Sequence, residues 1–285
     1  MRRTLYKMLF GVFFLACSND FEPASRLTKL RLLGVSADKP YAHAGDTVKL
    51  QALAYDPAGR SIQWGWATCT NPAAATVMGC AASMDEGSFT LGGTEHSVAL
   101  PSTSKVGLGA MVGVLVVACP GQLSVAPAGE VPFRCNDGKR DLDLSEYELG
   151  MKRLLLRSSD RNENPQVDEV VFDGAPWPET LVPEVSACQS DKVEDCPHPH
   201  KIGVAASRSE SGKDELGTGF AEQLIVQYYA SEGSFEWELR TADKPETRWI
   251  ARPESAGKLI EMFFVARDDR GGISWTRRQI RVRAR

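Results

Sequence analysis

Apolar and polar residues alternate along Thr47-Val48-Lys49-Leu50-Gln51-Ala52-Leu53-Ala54-Tyr55, placing Val48, Leu50, Ala52 and Ala54 on one face of an extended chain. Gly45-Asp46 opens this stretch and Asp56-Pro57-Ala58-Gly59 closes it, so the pattern predicts a half-buried strand between two turns. Ser61-Ile62-Gln63-Trp64-Gly65-Trp66 alternates again. The run from Met111 to Cys119 is continuously apolar. Its β-branched content and the Cys119-Pro120-Gly121 stop predict a strand buried on both faces rather than a helix.

The second half repeats the plan. A strand at Gln223 to Tyr229, a turn at Glu232-Gly233 and the string Ser234-Phe235-Glu236-Trp237 parallel the earlier strand, its turn and Ser61-Ile62-Gln63-Trp64. On this reading Trp64 and Trp237 hold equivalent core positions. The apolar stretch Lys258 to Ala266 answers the run ending at Cys119, and Trp275 to Val282 closes the unit. Two copies imply an all-β protein of two sandwiches in tandem, residues 28–158 and 159–285. The polar stretch from Ser158 to Pro165 lies between them, and long insertions are expected at about 70–94, 120–146 and 175–218.

The N-terminus reads as an address. Arg2, Arg3 and Lys7 precede a nine-residue apolar run, Met8 to Ala16, too short to span a bilayer core that needs about 20 residues. Residues 1–16 are therefore expected to be a signal peptide. Phe14-Leu15-Ala16-Cys17 resembles the bacterial lipobox, which implies acylation of Cys17, a lipidated tether over residues 17–27, and attachment to a membrane through acyl chains. Ser18 after the cysteine resembles the sorting signal for the outer membrane.

The formal net charge of −4 becomes −7 once Arg2, Arg3 and Lys7 leave. Such a surface gives no general attraction to nucleic acid. Six cysteines remain besides Cys17: Cys69, Cys80, Cys119, Cys135, Cys188 and Cys196. An even number in an exported chain argues for disulfides, and proximity favours 69 with 80, 119 with 135, and 188 with 196.

Gly45-Asp46-Thr47-Val48, the Trp two strands in, and Phe264-Val265-Ala266-Arg267-Asp268-Asp269-Arg270-Gly271-Gly272 resemble the immunoglobulin-like and PKD-like domains of bacterial surface proteins. The tandem behind a lipobox is similar to lipoproteins of myxobacterial type. The resemblance implies a fold and no activity. It also implies that Cys69 and Cys119 end antiparallel neighbouring strands at opposite ends of a sandwich, which excludes that pair.

Several residue groups invite chemistry. Cys188, Cys196, His198 and His200 could ligate zinc or be a disulfide loop with two histidines, and the even cysteine count favours the loop. Ser102-Thr103-Ser104-Lys105 matches a Ser-x-x-Lys string but lacks the Lys-Thr-Gly partner that penicillin-interacting enzymes need. Asp137, Asp141, Asp143 and Glu146, and separately Asp268 with Asp269, could hold calcium, though hairpin turns explain both clusters more simply. Arg277, Arg281, Arg283 and Arg285 share a face of the last strand, as a charged edge guard or an anion stripe for polysaccharide. Trp249, Tyr228 and Phe263 read as core.

The expected protein is a lipid-anchored envelope lipoprotein with a binding or structural role, no catalysis, no cofactor and no metal, facing the periplasm or the exterior. Its expected partners are the membrane and an envelope protein or polysaccharide. An accessory subunit of an export, motility or polysaccharide machine is the alternative, with a cell-envelope hydrolase behind it.

Overall fold

The computed structural model describes residues 23–72, 74–102, 110–126 and 133–284. The signal segment, Cys17 and Ser18, Thr103 to Lys105 and Arg285 lie outside the described residues. The first half contains β1 (Arg31–Ala37), β2 (Tyr41–Ala42), β3 (Thr47–Tyr55), β4 (Gln63–Thr70), helix α1 (Val77–Ala81), β5 (Thr90–Gly92), β6 (Glu95–Ala99), β7 (Met111–Cys119), β8 (Gln122–Val125), β9 (Phe133–Asn136) and β10 (Glu148–Leu156). Sheet β1-β3-β6 faces sheet β2-β10-β7-β4-β5. All pairings are antiparallel except β2 with β10. This is the strand order of an immunoglobulin-like sandwich, with no fourth strand on the first sheet among the described residues.

The second half repeats it with β11 (Gln166–Phe172), β12 (Ala175–Pro176), β13 (Glu184–Val185), β14 (His200–Ser207), β15 (Ser211–Lys213), β16 (Gly219–Ala221), β17 (Ile225–Ala230), β18 (Ser234–Phe235), β19 (Leu239–Thr241), β20 (Glu246–Ile250), β21 (Leu259–Arg267) and β22 (Ile273–Val282). Here sheet β12-β11-β14-β20-β18 faces sheet β13-β22-β21-β17-β19, and β13 again runs parallel to the last strand.

The two continuous apolar runs become the central strands β7 and β21, each covered on both faces. In β7, Val112, Val114, Val116 and Ala118 face the sandwich core. Leu115, Val117 and Cys119 face outward, beneath α1 and the β8–β9 hairpin. Disulfides Cys69–Cys80 and Cys119–Cys135 staple these two insertions onto the sheet, and Cys188–Cys196 closes a loop between β13 and β14. In β21, Ile260, Met262, Phe264 and Ala266 face the core of the second sandwich. Its outward residues Phe263 and Val265 are buried under the first sandwich.

The proposed equivalence of Trp64 and Trp237 is corrected. Trp64 is buried on β4, two positions before the fully buried Trp66, whose indole N–H donates to the Gly93 carbonyl at 3.1 Å. Trp237 is 56% exposed. The strand matching β4 is β17, where Tyr228 stands opposite Phe264 as Trp66 stands opposite Val116. Ser234 and Phe235 instead pair with β20 in the other sheet, so Trp237 falls where the chain crosses between sheets. The register was therefore off by one strand. The missing strand is β14, inside the stretch read as an insertion, with Ile202 and Val204 facing inward.

Candidate functional site: the junction between the sandwiches

The two sandwiches pack side by side. Leu33 of β1, with Leu53 and Tyr55 of β3, lies against Phe263, Val265 and Ile273 of the second sandwich. The Tyr55 and Phe263 rings are 5.5 Å apart. Gly34 permits this approach, because a Cβ there would stand 2.7 Å from Ile273 Cδ1. The segment before β1 is not free tether: Leu27 is fully buried, its N–H donates to the Ala230 carbonyl, and Ala230 N–H donates back to Ser25. Residues 25–27 thus prolong the sheet of the second sandwich alongside β17.

The turn between β21 and β22 seals one end of this face. Asp268 accepts hydrogen bonds from the backbone N–H groups of Arg270 (2.9 Å) and Gly272 (2.6 Å). Gly271 sits at φ +101°, a conformation that favours glycine. Its carbonyl accepts from Nζ of Lys152, reaching across from β10. Lys152 is only 6% exposed. Burial pushes its ammonium pKa down to about 8, with Asp268 pulling the other way.

Arg270 fills the adjoining corner. Its guanidinium lies over the rings of Phe220 (3.9 Å) and Tyr41 (4.6 Å) and pairs with Glu210 and Glu222, each at 3.1 Å. It also donates to the Arg161 carbonyl. Burial raises the Glu222 carboxyl above its ordinary value, an effect the contact with Arg270 opposes. Arg267 donates to the Leu33 carbonyl at 2.6 Å. The Asn164 side chain joins both domains, donating to the Ala37 carbonyl and accepting from Ile273 N–H. A cavity of about 460 Å³ remains between Gly150 to Arg153 and the turn. The charged groups named here are engaged with protein partners, so the arrangement fixes the orientation of the two sandwiches.

The other sequence candidates fall elsewhere. Cys188 and Cys196 are bonded to each other, which removes the thiolates a zinc site would use. Beside them lies an open cleft of about 570 Å³ lined by Val185, Ala187, His198, His200 and Arg283. His200 stacks on Phe172 and has Nδ1 2.7 Å from Asp173. Asp137 accepts from the backbone of Lys139 and Arg140, as a turn requires. Glu146 is held by the Arg140 guanidinium and the Asp143 N–H, which lower its pKa to about 2. Arg277 forms a bidentate pair with Glu261, and Arg283 faces Glu184 at 3.9 Å. Arg278, on the opposite face, is buried and donates to the Trp177 carbonyl.

No family model and no curated protein matches the chain. Similar solved structures include the D0–D1 domain of intimin, at 10% identity over 87% of this chain and 98% of that one, with a TM-score of 0.22. The two tandem V-type regions of VCBP3, a v-region-containing chitin binding protein, share 10% identity over 89% of this chain and 100% of that one, at 0.26. Tandem Ig repeats of Dlar share 9% over 90% and 98%, at 0.23. The chain is a tandem of immunoglobulin-like sandwiches. That statement stands on its strand order, and the fold by itself implies neither an activity nor a ligand. Its disulfides mark an extracytoplasmic protein, and no helix among the described residues is long and apolar enough to cross a membrane.

Proposed function

We propose that this tandem is a rigid, non-catalytic structural or binding body of the cell envelope, held at the outer membrane by acyl chains on Cys17, with an envelope protein or polysaccharide as its partner. The observation that carries the reading is the use made of the β21–β22 turn. At the end of a sandwich such a turn is free to meet ligands. Here it is consumed by Lys152, Asn162 and the corner around Arg270. What the fold would otherwise offer as a binding loop instead fixes one domain against the other. The basic stretch, short apolar run and cysteine of residues 1–17 support the anchor. Cys17→Ser tests it: the variant is expected in the soluble fraction and the parent protein in membranes. Parent protein found only in the soluble fraction overturns the anchor.

A further inference from the structure

We propose that the end of the second sandwich carrying residues 25–27 rests on the lipid bilayer, with Trp237 and Leu239 seated among the headgroups. This rests on the reading of Cys17 as acylated. The described chain begins at Pro23, and Ser25 is fixed against the sandwich by its N–H, 3.1 Å from a carboxylate oxygen of Glu238, and by its bond with Ala230. Five residues, Ser18 to Glu22, separate Pro23 from Cys17. Fully extended, such a stretch reaches about 20 Å. An acyl chain on Cys17 therefore holds Pro23 within that distance of the membrane and Ser25, with the surface around Glu238, within about 28 Å, and it is the second sandwich that Ser25 is bonded to and that is drawn down.

The residues flanking Glu238 suit that position. Trp237 is 56% exposed and Leu239 46%, while Leu259, on β21, is 41% exposed. The backbone of Trp237 is not a free loop: its main-chain N–H donates to Thr247 Oγ1 at 3.0 Å, and Thr247 Oγ1 donates back to its main-chain carbonyl at 2.8 Å. An exposed indole leaves apolar surface in water, and its apolar body with a single N–H matches the boundary between acyl chains and headgroups. Cationic groups flank the same end. Gly257 N–H donates to the Val282 and Arg283 carbonyls, and the two cations Lys258 and Arg283 are ion-paired with Glu232 and Glu184.

The test reconstitutes the full lipidated chain in vesicles of phosphatidylethanolamine and phosphatidylglycerol containing lipids brominated near the headgroup. The chain has six tryptophans, so the emission of Trp237 is taken as the difference between the parent protein and Trp237→Phe. Quenching of that difference by brominated lipid, with protection from aqueous acrylamide, is the expected result. If the protein floats with the vesicles but Trp237 is quenched by acrylamide alone, the anchor stands and the proposed orientation falls. Protection from both quenchers means that protein covers Trp237, which also overturns the proposal. Failure to float removes the anchor, and the orientation with it.

Discussion

An ammonium group that is almost wholly out of water keeps its proton only against the cost of burial, and Lys152 meets that cost with one carbonyl and a nearby carboxylate. Its pKa is lower folded, about 8, than in an unfolded chain, near 10.5. The unfolded state therefore binds the proton more tightly, and Lys152 subtracts from stability below about pH 8. That penalty fades as pH rises from 8 towards 10.5, and at neutral pH it is about 3 kcal/mol before the bond to Gly271 is counted. Denaturant midpoints measured from pH 7 to 10 should rise for the parent protein relative to Lys152→Met, in which this component is absent. Parallel profiles would show that the amine is solvated. In the sequence Lys152 is marked only by its spacing from Leu154 and Leu156, which puts a charge on the apolar face of β10. Nothing local indicates that a turn more than a hundred residues away supplies its acceptor.

At the scale of elements, what was legible was what neighbouring residues decide. Period-two alternation marks β3, the doubly apolar runs mark β7 and β21, and loop proximity pairs the cysteines as Cys69–Cys80, Cys119–Cys135 and Cys188–Cys196. Equivalence between the halves was not legible, because the string Ser-apolar-polar-Trp reports local alternation and not which sheet a strand joins. Phe235 satisfies the same pattern in β18 as Ile62 does before β4, yet β18 pairs with β20 in one kind of sheet and β4 with β7 in the other. The staples also have a testable weight. Replacing Cys69 and Cys80 together by alanine removes the link between α1 and β4, and the loop closed by the bond predicts a loss of about 3 kcal/mol in equilibrium denaturation. An unchanged midpoint would mean that the packing of α1 on the outer face of β7 fixes the insertion without the bond.

For the whole molecule, the apolar face between the sandwiches matters more than the boundary between them. The polar stretch after β10 reads as a linker, and each half then looks able to stand alone. Yet β21 and β22 hide Phe263, Val265 and Ile273 beneath the first sandwich, and Trp275 is partly covered there. Residues 159–285 produced alone would expose that face. The fragment is expected to self-associate in sedimentation experiments and to show red-shifted tryptophan emission. A monomeric fragment with unchanged emission would show that the junction is incidental to stability.

The pairing of Arg26 with Ala230 also sets an order of events as the chain folds. Residues 25–27 stand roughly 200 positions before the strand that receives them, so their bonds to Ala230 close a far longer loop than any pairing inside the first sandwich. The first sandwich can close earlier on its own strands, since β1 finds β3 within its own domain. Its leading segment must stay unpaired until β17 forms. Folding therefore ends on the segment that precedes β1, whose hydrogen bonds to β17 are among the last to form.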